Sequence, residues 1–585
     1  MQDAITRLRQ ISVAPSEKSA FDTWLEMKDA LAFLADNAQE NEFVVYATVG
    51  HTYMHAIVVP ATLLNPPDNN DLMSWNCNAS SSWGFSWTMT DPPIVSISPP
   101  LDATGSKTLD RGEQLVFARS FEGRVGNKGY FEVLQKFVHL FDLHFLTERN
   151  AYCRLDSQGD IEDVIRIVDV SAKGNAFGGT IISFRRDILD KYLVLTDSIM
   201  IRTFDFTRYY PSGFSGWSQT SNEKVVNEGD LSYRSCIEPG YAGYTRGFQI
   251  VRPLISKEIA LASFQYPPKE EKQYVSFIAQ DWRHGVVSEI SCAPGKTANY
   301  FIKSDLPFEL SPAFFRPEVL SKYKADSEKY HLEGRSISCR GTWHLQTYDV
   351  NEVGQVHTYL VYLRDLPYSE QLHWKSYNES PKAPISRRAI QTDFKGEWNL
   401  EYDPLSSLKD LALKLTQRQV PWWTMRSEDL VRGVHYPVTT SADEWSSEIM
   451  QLEHLLVEGF EEKRLRGMAE SLGRAPDKKF RSLKLVEECL IALGYEADHA
   501  HKIVGPLFET HDLRSKLKGH PAGEEALALR KAALAEHGTL AKHFRAICCK
   551  CDESMRAITE AFKNHVGIES SEAEAADARS TTPDN

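Results

Sequence analysis

The sequence predicts an α+β protein of several domains, with a large β-rich N-terminal and middle region followed by a C-terminal α-helical bundle. Three observations predict it. From Phe43 to about Phe301, short runs of β-branched and aromatic residues are bounded by Gly, Pro, Asn and Asp, the pattern of strands joined by turns. From Asp443 to Phe562, apolar residues recur every three or four positions, the pattern of amphipathic helices. The 585 residues, 42% of them hydrophobic, exceed what one core can hold and are apolar enough to fold almost throughout. The expected divisions are a β-rich domain with a leading helix (1–301), an aromatic-rich α/β unit with a linker (302–440), the bundle (441–566) and an acidic tail expected to be disordered (567–585).

Residues 17–37 predict one amphipathic helix carrying Phe21, Trp24, Leu25, Met27, Leu31, Phe33 and Leu34. Strands are expected at Phe43–Val49, Ile94–Ser98, Thr180–Phe184 and Ser198–Phe204. One helix, Gly129–Arg149, should interrupt them, with Phe131, Leu134, Phe137, Val138, Phe141 and Phe145 on its apolar side. In the second unit Gln355–Leu363 reads as a strand, and Thr416–Thr440, with Pro421-Trp-Trp and Pro437, as a link to the bundle. The bundle should hold four helical stretches: a long one over Asp443–Leu472, then Lys478–Leu493, then Ala497–Lys518 with a break at Gly505-Pro506, and Glu524–Phe562 with a break near Gly538.

The segment richest in chemistry is Glu509-Thr-His-Asp-Leu-Arg514-Ser-Lys-Leu-Lys-Gly-His520, at the junction of the last two stretches. Gly519 can end one helix and Pro521 can start the next, which sets His520 at a helix N-terminus, where the dipole lowers an imidazolium pKa and attracts phosphate. A histidine can move the proton of a ribose 2′-hydroxyl, and a guanidinium can hold the charge that builds on the phosphate. The same pair also fits a solvated basic turn that caps two helices.

This segment resembles the Arg-x4–6-His motif of the HEPN superfamily of all-helical ribonucleases, which populates bacterial toxin–antitoxin, abortive-infection and CRISPR-associated systems. The resemblance covers about Ala442 to Phe562. It implies a catalytic pair of Arg514 and His520, a polar position at Ser515, and a glutamate five residues before the arginine at Glu509, which would orient Arg514. It also implies the arginine near the end of the third major helix, the histidine near the start of the fourth, a site built across two bundles in a homodimer, and a role in antiviral defence. Members with that glutamate often have lysine where this chain has Leu513, and Asn, Asp or His where it has Ser515.

Charge sets limits on partners. The net charge of −14 argues against a general nucleic-acid coat protein, and residues 443–563 carry 19 Lys and Arg against 21 Asp and Glu. An RNA site must therefore be a local patch, seeded by Arg514, Lys516 and Lys518. There is no apolar run long enough to span a membrane, no basic-then-apolar leader at Met1-Gln-Asp-Ala-Ile, and the nine scattered cysteines suggest reduced thiols, so a cytoplasmic setting is expected.

Other motifs carry weaker signals. Pro294-Gly-Lys-Thr297 and Gly105-Ser-Lys-Thr108 lack the upstream glycine of a phosphate loop. His139, Asp142 and His144 would spread around their helix rather than converge on a metal, and Asp160, Glu162 and Asp163 read as an acidic hairpin turn. Cys548, Cys549 and Cys551, near His543, read as small buried hydrophobes or, alternatively, as zinc ligands. Tyr209, Tyr210, Phe214, Trp217, Tyr241, Tyr244 and Arg246 form one aromatic cluster that fits a recognition surface or a loop-rich core. His373–Lys382, followed by Arg387, Arg388, Lys395 and Trp398, reads as an exposed polar loop.

The expected function is that of a metal-independent endoribonuclease effector in abortive infection. In it His520 moves the proton, Arg514 steadies the phosphate, Glu509 orients Arg514, and Ser515, Lys516 and Lys518 meet the RNA. No metal or cofactor is required, and the product ends in a 2′,3′-cyclic phosphate. The β-rich region would sense a phage-derived or small-molecule trigger or grip RNA. The alternatives are a non-catalytic protein that binds a ligand or phage protein and only dimerises through its bundle, and a metal-dependent enzyme in the β-rich region.

Overall fold

Most strand runs of the first 250 residues are gathered into one sheet whose central strands are buried on both faces. The computed structural model describes residues 4–11, 13–50, 52–64, 84–98, 112–121, 128–171, 178–209, 214, 216–217, 223–264, 272–397, 402–437, 441–517 and 524–563. It divides into two units, one of residues 1–156 and 160–271, the other of residues 157–159 and 272–585.

Unit 1 begins with helices α1 (Ala4–Ile11), α2 (Lys18–Leu25) and α3 (Lys28–Asn37). The single helix expected over 17–37 is two, because the buried Met27 turns left-handed between them at φ 59°. Strands β1 (Glu42–Val49) and β2 (Thr52–Pro60) are central in an eleven-stranded sheet and are buried along nearly their whole length. Strands β3 (Gly84–Trp87) and β4 (Val95–Ser98) pair with each other. After them come β5 (Glu113–Gln114), β6 (Val116–Phe121), β7 (Lys128–Val133), α4 (Gln135–Leu140), β8 (His144–Leu146), β9 (Ala151–Leu155), β10 (Ile161–Val170), β11 (Gly179–Arg185), α5 (Arg186–Leu195), β12 (Ser198–Tyr209), β13 (Lys224–Glu228), β14 (Leu231–Glu238), β15 (Ala242–Val251) and α6 (Lys257–Ala262). Across the sheet the order is β13-β14-β15-β12-β2-β1-β11-β10-β9-β8, with β5 beside β2.

Two cores follow from the alternation of side chains along the strands. Val44, Ala47, Ile181 and Phe204 pack with Leu8, Phe33 and Leu34 of the leading helices. Phe43, Val45, Ile182 and Phe184 pack with Phe137, Ile188 and Tyr192 of α4 and α5. A bulge between Val44 and Tyr46 shifts the register of β1 on β11. The helix expected over Gly129–Arg149 is corrected to β7, α4 and β8, with Asp142 left-handed at φ 50° after α4. Its aromatic spacing suits either element, and pairing of β7 with β6 decides the first part.

Arg202 of β12 is fully buried and bonded on both terminal nitrogens: its guanidinium donates to Asn37 Oδ1 (2.7 Å), Gln249 Oε1 (2.6 Å) and the carbonyls of Leu34 (3.0 Å) and Val44 (3.2 Å). Arg186 donates to Asp190 (2.7 Å) and to two backbone carbonyls. These arginines tie helices to the sheet.

Unit 2 opens with β16 (Ser276–Asp281), β17 (Val286–Ser291) and β18 (Pro312–Phe315), followed by α7 (Ser321–Ala325). The small sheet β19 (Tyr330–Leu332), β20 (Ile337–Cys339) and β21 (Trp343–Leu345) comes next. Then follow β22 (Asp349–Val350), β23 (Val356–Tyr359), α8 (Leu360–Asp365), α9 (Tyr368–Ser376) and β24 (Asn378–Glu379). The strand expected over Gln355–Leu363 turns into α8 at Leu360. The exposed loop expected at His373–Lys382 is corrected to the end of α9 and the strand after it, with Trp374 fully buried beside Phe315 and Tyr323. Strands β16 and β17 belong to the sheet formed with β18 and β23.

The helical region spans α10 (Pro404–Gln417), α11 (Asp429–Gly433), α12 (Ala442–Leu456), α13 (Glu462–Ser471), α14 (Ser482–Ala492), α15 (Ala497–Leu517), α16 (Glu524–His537) and α17 (Leu540–Phe562). Leu405, Leu408, Ala412 and Leu415 of α10, and Trp422 and Trp423 after it, lie in the same core as Trp445, Leu452, Leu485, Leu507 and Phe544. The segment expected to be a link is thus part of the bundle's interior.

The long helix expected over Asp443–Leu472 is corrected to α12 and α13, and Trp423 is the cause. Its indole N–H donates to the Leu456 carbonyl (3.0 Å), capping α12, and its ring lies where a Cβ on Gly459 would be 2.5 Å away. Backbone bonds from Thr424 to Gly459 and from Glu461 to Trp422 fix the turn. The break expected at Gly505-Pro506 is absent, since α15 runs through Pro506. Carbonyls there are met by side chains: Ser554 donates to Ile503 O (2.6 Å) and Thr510 to Pro506 O (2.8 Å). The break near Gly538 is present, with Gly538 at φ 77° and Thr539 capping α17.

Gly459→Ala should destabilise the protein by about 1–3 kcal/mol, because the methyl has no room beside Trp423. Gly467→Ala, in open space within α13, should be neutral or stabilise by up to about 1 kcal/mol. Urea titrations of both variants check the contrast, and equal effects would show that Trp423 does not set the turn.

Burial pushes His357 down to about 4 and His435 down to about 3. His357 accepts a hydrogen bond from the Ser386 amide at Nε2 (3.0 Å), which needs the neutral ring. Unfolded histidine titrates near 6.5, so between about pH 6.5 and 4 the unfolded chain binds protons that the folded one does not. Stability is therefore full above pH 6.5 and falls as the solution is acidified. Unfolding midpoints at pH 7, 6 and 5 should drop by an amount worth about 1–3 kcal/mol, less steeply in His357→Gln.

Candidate functional site

Helix α15 carries Ala500, Val504, Leu507, Thr510 and Leu517 on its buried side. Arg514 falls on that stripe, one turn from the helix end, with its side chain only 16% exposed. A guanidinium there needs a counter-charge, and α12 provides it. Trp445, Ile449, Leu452 and Leu456 line the apolar face of α12, and Glu453 falls among them, 2% exposed.

The two helices meet at this carboxylate. Glu453 Oε1 accepts a hydrogen bond from His511 Nδ1 at 2.7 Å, and Oε2 lies 3.6 Å from Arg514 Nε. His511 and Arg514, three positions apart, share one helix face. The turn created by Trp423 brings Glu458 to the same place, 3.8 Å from Arg514 Nη2, with Arg426 on its other oxygen at 2.7 Å. His454 Nε2 accepts from Arg514 Nη2 at 3.4 Å. Two carboxylates are thus balanced by two guanidiniums, with two imidazoles between them. His511 is 45% exposed, so one side of the cluster is open to solvent.

Arg514 is held but not saturated. Arg514 Nε and Glu453 Oε2 are buried, yet neither makes a hydrogen bond. Among the described residues no contact engages Arg514 Nη1, whereas Arg186 and Arg202 make short bonds on both of their terminal nitrogens. Ligand atoms of Glu453, His454 and Glu458 also lie within 4.8 Å of one another, a spacing that suits a cation. The resident guanidinium already occupies that electrostatic position.

The residues expected from sequence divide as follows. Arg514 is in the cluster. Glu509 is not: its carboxylate is exposed and faces Lys550 at 3.5 Å, so the expectation that it orients Arg514 is corrected in favour of Glu453 and Glu458. Ser515 and Lys516 are exposed at the end of α15, with Lys516 3.9 Å from Glu525. Lys518 and His520 lie outside the described residues. Sequence reasoning missed Glu453, His454, Glu458 and His511. The signal for Glu453 was a charged residue on the apolar stripe of its helix.

Elsewhere, Cys548 and Cys551 are buried core thiols, pushed up by burial, Cys551 to about 12. Asp163 and Glu162 are paired with Arg149 (2.7 Å) and Arg154 (2.9 Å) beside the β9–β10 hairpin. Pro294–Lys296 is a single 3-10 turn, and Gly105–Thr108 lies outside the described residues. The aromatic cluster of unit 1 does assemble. Phe214 meets Trp217 (4.9 Å), Trp217 meets Tyr244 (4.8 Å), and Arg246 lies over Tyr244 (4.8 Å). Trp217 is 38% exposed and Tyr241 53% exposed, while Tyr210 lies outside the described residues.

Glu453→Gln removes the charge that Arg514 and His511 face and should cost about 2–3 kcal/mol, since one partner of a buried pair is left alone. Arg514→Met added to it should restore part of the loss, giving a coupling of about 1–2 kcal/mol in a double-mutant cycle. Strictly additive costs would mean that the two side chains do not act on each other. The chain matches no protein-family model, and no curated protein and no solved structure is similar to it, so the site's own geometry carries the functional reading.

Proposed function

We propose that the protein is a metal-independent endoribonuclease whose C-terminal helical region cuts RNA, acting in the cytoplasm in antiviral defence of the abortive-infection kind. The observation that carries this reading is Arg514, a permanent cation oriented by a buried carboxylate, with hydrogen-bonding capacity unused among the described residues. Such a group suits the charge that builds on a phosphate during attack by the ribose 2′-oxygen. His520, six positions on in sequence, is the assigned base for the 2′-hydroxyl. Ser515, Lys516 and Lys518 supply contacts to the RNA backbone, and the bundle acts as a HEPN-like homodimer. The product ends in a 2′,3′-cyclic phosphate.

The β-rich unit is the trigger-sensing or RNA-gripping part. Its aromatic cluster with Arg246 at one edge supports this, since exposed rings beside an arginine can stack bases or bind a protein surface.

Purified protein incubated with total cellular RNA in EDTA should produce fragments ending in 2′,3′-cyclic phosphate. Arg514→Ala and the double variant Arg514→Ala/His520→Ala should each lose about 100-fold or more of the rate. Cleavage that stops with chelator would point to a metal enzyme in the β-rich unit. Equal cleavage by wild type and variants would remove Arg514 from the chemistry and favour a protein that only binds.

A further inference from the structure

The geometry points to His511 as the group that protonates the departing 5′-oxygen, with Glu453 as its positioning residue. This inference rests on the endoribonuclease reading. Forming a 2′,3′-cyclic phosphate takes two proton transfers. The 2′-oxygen bonds to phosphorus as its proton passes to the base, assigned to His520. The bond from phosphorus to the 5′-oxygen breaks, and that oxygen takes a proton to leave as a hydroxyl. One histidine and one arginine supply only the first transfer and the charge stabilisation, so a proton donor for the leaving group is needed.

Two imidazoles flank Arg514, and their surroundings differ. His454 presents Nε2 to Arg514 Nη2 at 3.4 Å, with Glu458 Oε1 at 3.7 Å and Glu453 Oε2 at 4.0 Å, so that nitrogen is taken up inside the cluster. His511 presents Nδ1 to Glu453 Oε1 at 2.7 Å, on the opposite oxygen of the carboxylate that faces Arg514 Nε. A carboxylate on Nδ1 fixes the ring and turns Nε2 away from Glu453, toward the side from which a substrate oxygen can come. The side chain is 45% exposed, within reach of a bound strand, while its anchor is 2% exposed. One buried carboxylate thus orients the phosphate-binding cation and the proton donor together, three residues apart on one helix face.

The test uses the full chain and an RNA oligonucleotide cut by wild type at one mapped linkage. A second oligonucleotide has sulfur in place of the bridging 5′-oxygen at that linkage, and its thiolate leaves without a proton. His511→Ala, and His511→Gln, which keeps a donor for Glu453, should each lose about 100-fold or more on the oxygen substrate. Both should cut the sulfur substrate within a few-fold of wild type. Glu453→Gln should lose more on the oxygen substrate than on the sulfur one, the loss that remains on sulfur being the part that comes through Arg514. Full activity of either His511 variant on the oxygen substrate, or an equal loss on both substrates, would overturn the assignment. Failure of the underlying reading looks different: wild type itself would cut neither substrate.

Discussion

A carboxylate cannot enter a helical core without a cation to meet it, and α12 carries two that do. Glu448 and Glu453 fall among the apolar positions of that helix. Lys324 of α7 reaches Glu448 at 3.3 Å, Glu444 at 2.8 Å and the Tyr436 carbonyl at 2.7 Å, linking the sheet-bearing part of unit 2 to its bundle. Arg514 and His511 meet Glu453 from α15. A slide of α15 by one turn along α12 would leave a buried charge alone, which costs more than the packing it would regain. These pairs therefore set the register in which the helices assemble, and the site inherits its geometry from that register.

Much of the architecture was legible in the sequence, and the losses have specific causes. Phe43–Val49 and Ser198–Phe204 were readable as strands because β-branched and aromatic residues are concentrated there between turn formers. Gly129–Arg149 was misread because its aromatics fall at spacings that suit a helix, while pairing of β7 with β6, a non-local contact, decides otherwise. The break at Gly459 is set by Trp423, thirty-six residues earlier in the chain. Pro506 does not end α15, and beside it the Ile503 carbonyl is met by Ser554 of α17, a bond that no local pattern encodes.

The candidate site shows the same division. Arg514 could be singled out from a dozen residues because its spacing to His520 and the turn chemistry between them are local. Its partner could not. Glu509, five residues upstream, lies nearly a turn and a half back on α15 and points to Lys550, whereas Glu453 is adjacent only once α12 packs on α15. A buried glutamate on an apolar stripe predicts that some cation will come to it, without saying which.

What separates Arg514 from an ordinary structural arginine is how little of its hydrogen-bonding capacity is used. In the same chain Arg202 has four short bonds and Arg186 three, each satisfying a carbonyl, amide or carboxylate that folding buries. Arg514 faces two carboxylates at 3.6 and 3.8 Å and a histidine at 3.4 Å. Those distances orient the guanidinium electrostatically and use one long hydrogen bond, to His454. A structural role would favour closing those gaps, because each unmade bond in a buried setting costs stability. A catalytic role favours leaving them open, because a donor already committed to a protein oxygen must be pulled away before it can serve a phosphate. On the endoribonuclease reading proposed above, the cost of the unmade bonds would be offset in the transition state, where an oriented cation needs no reorganisation at the moment the charge develops.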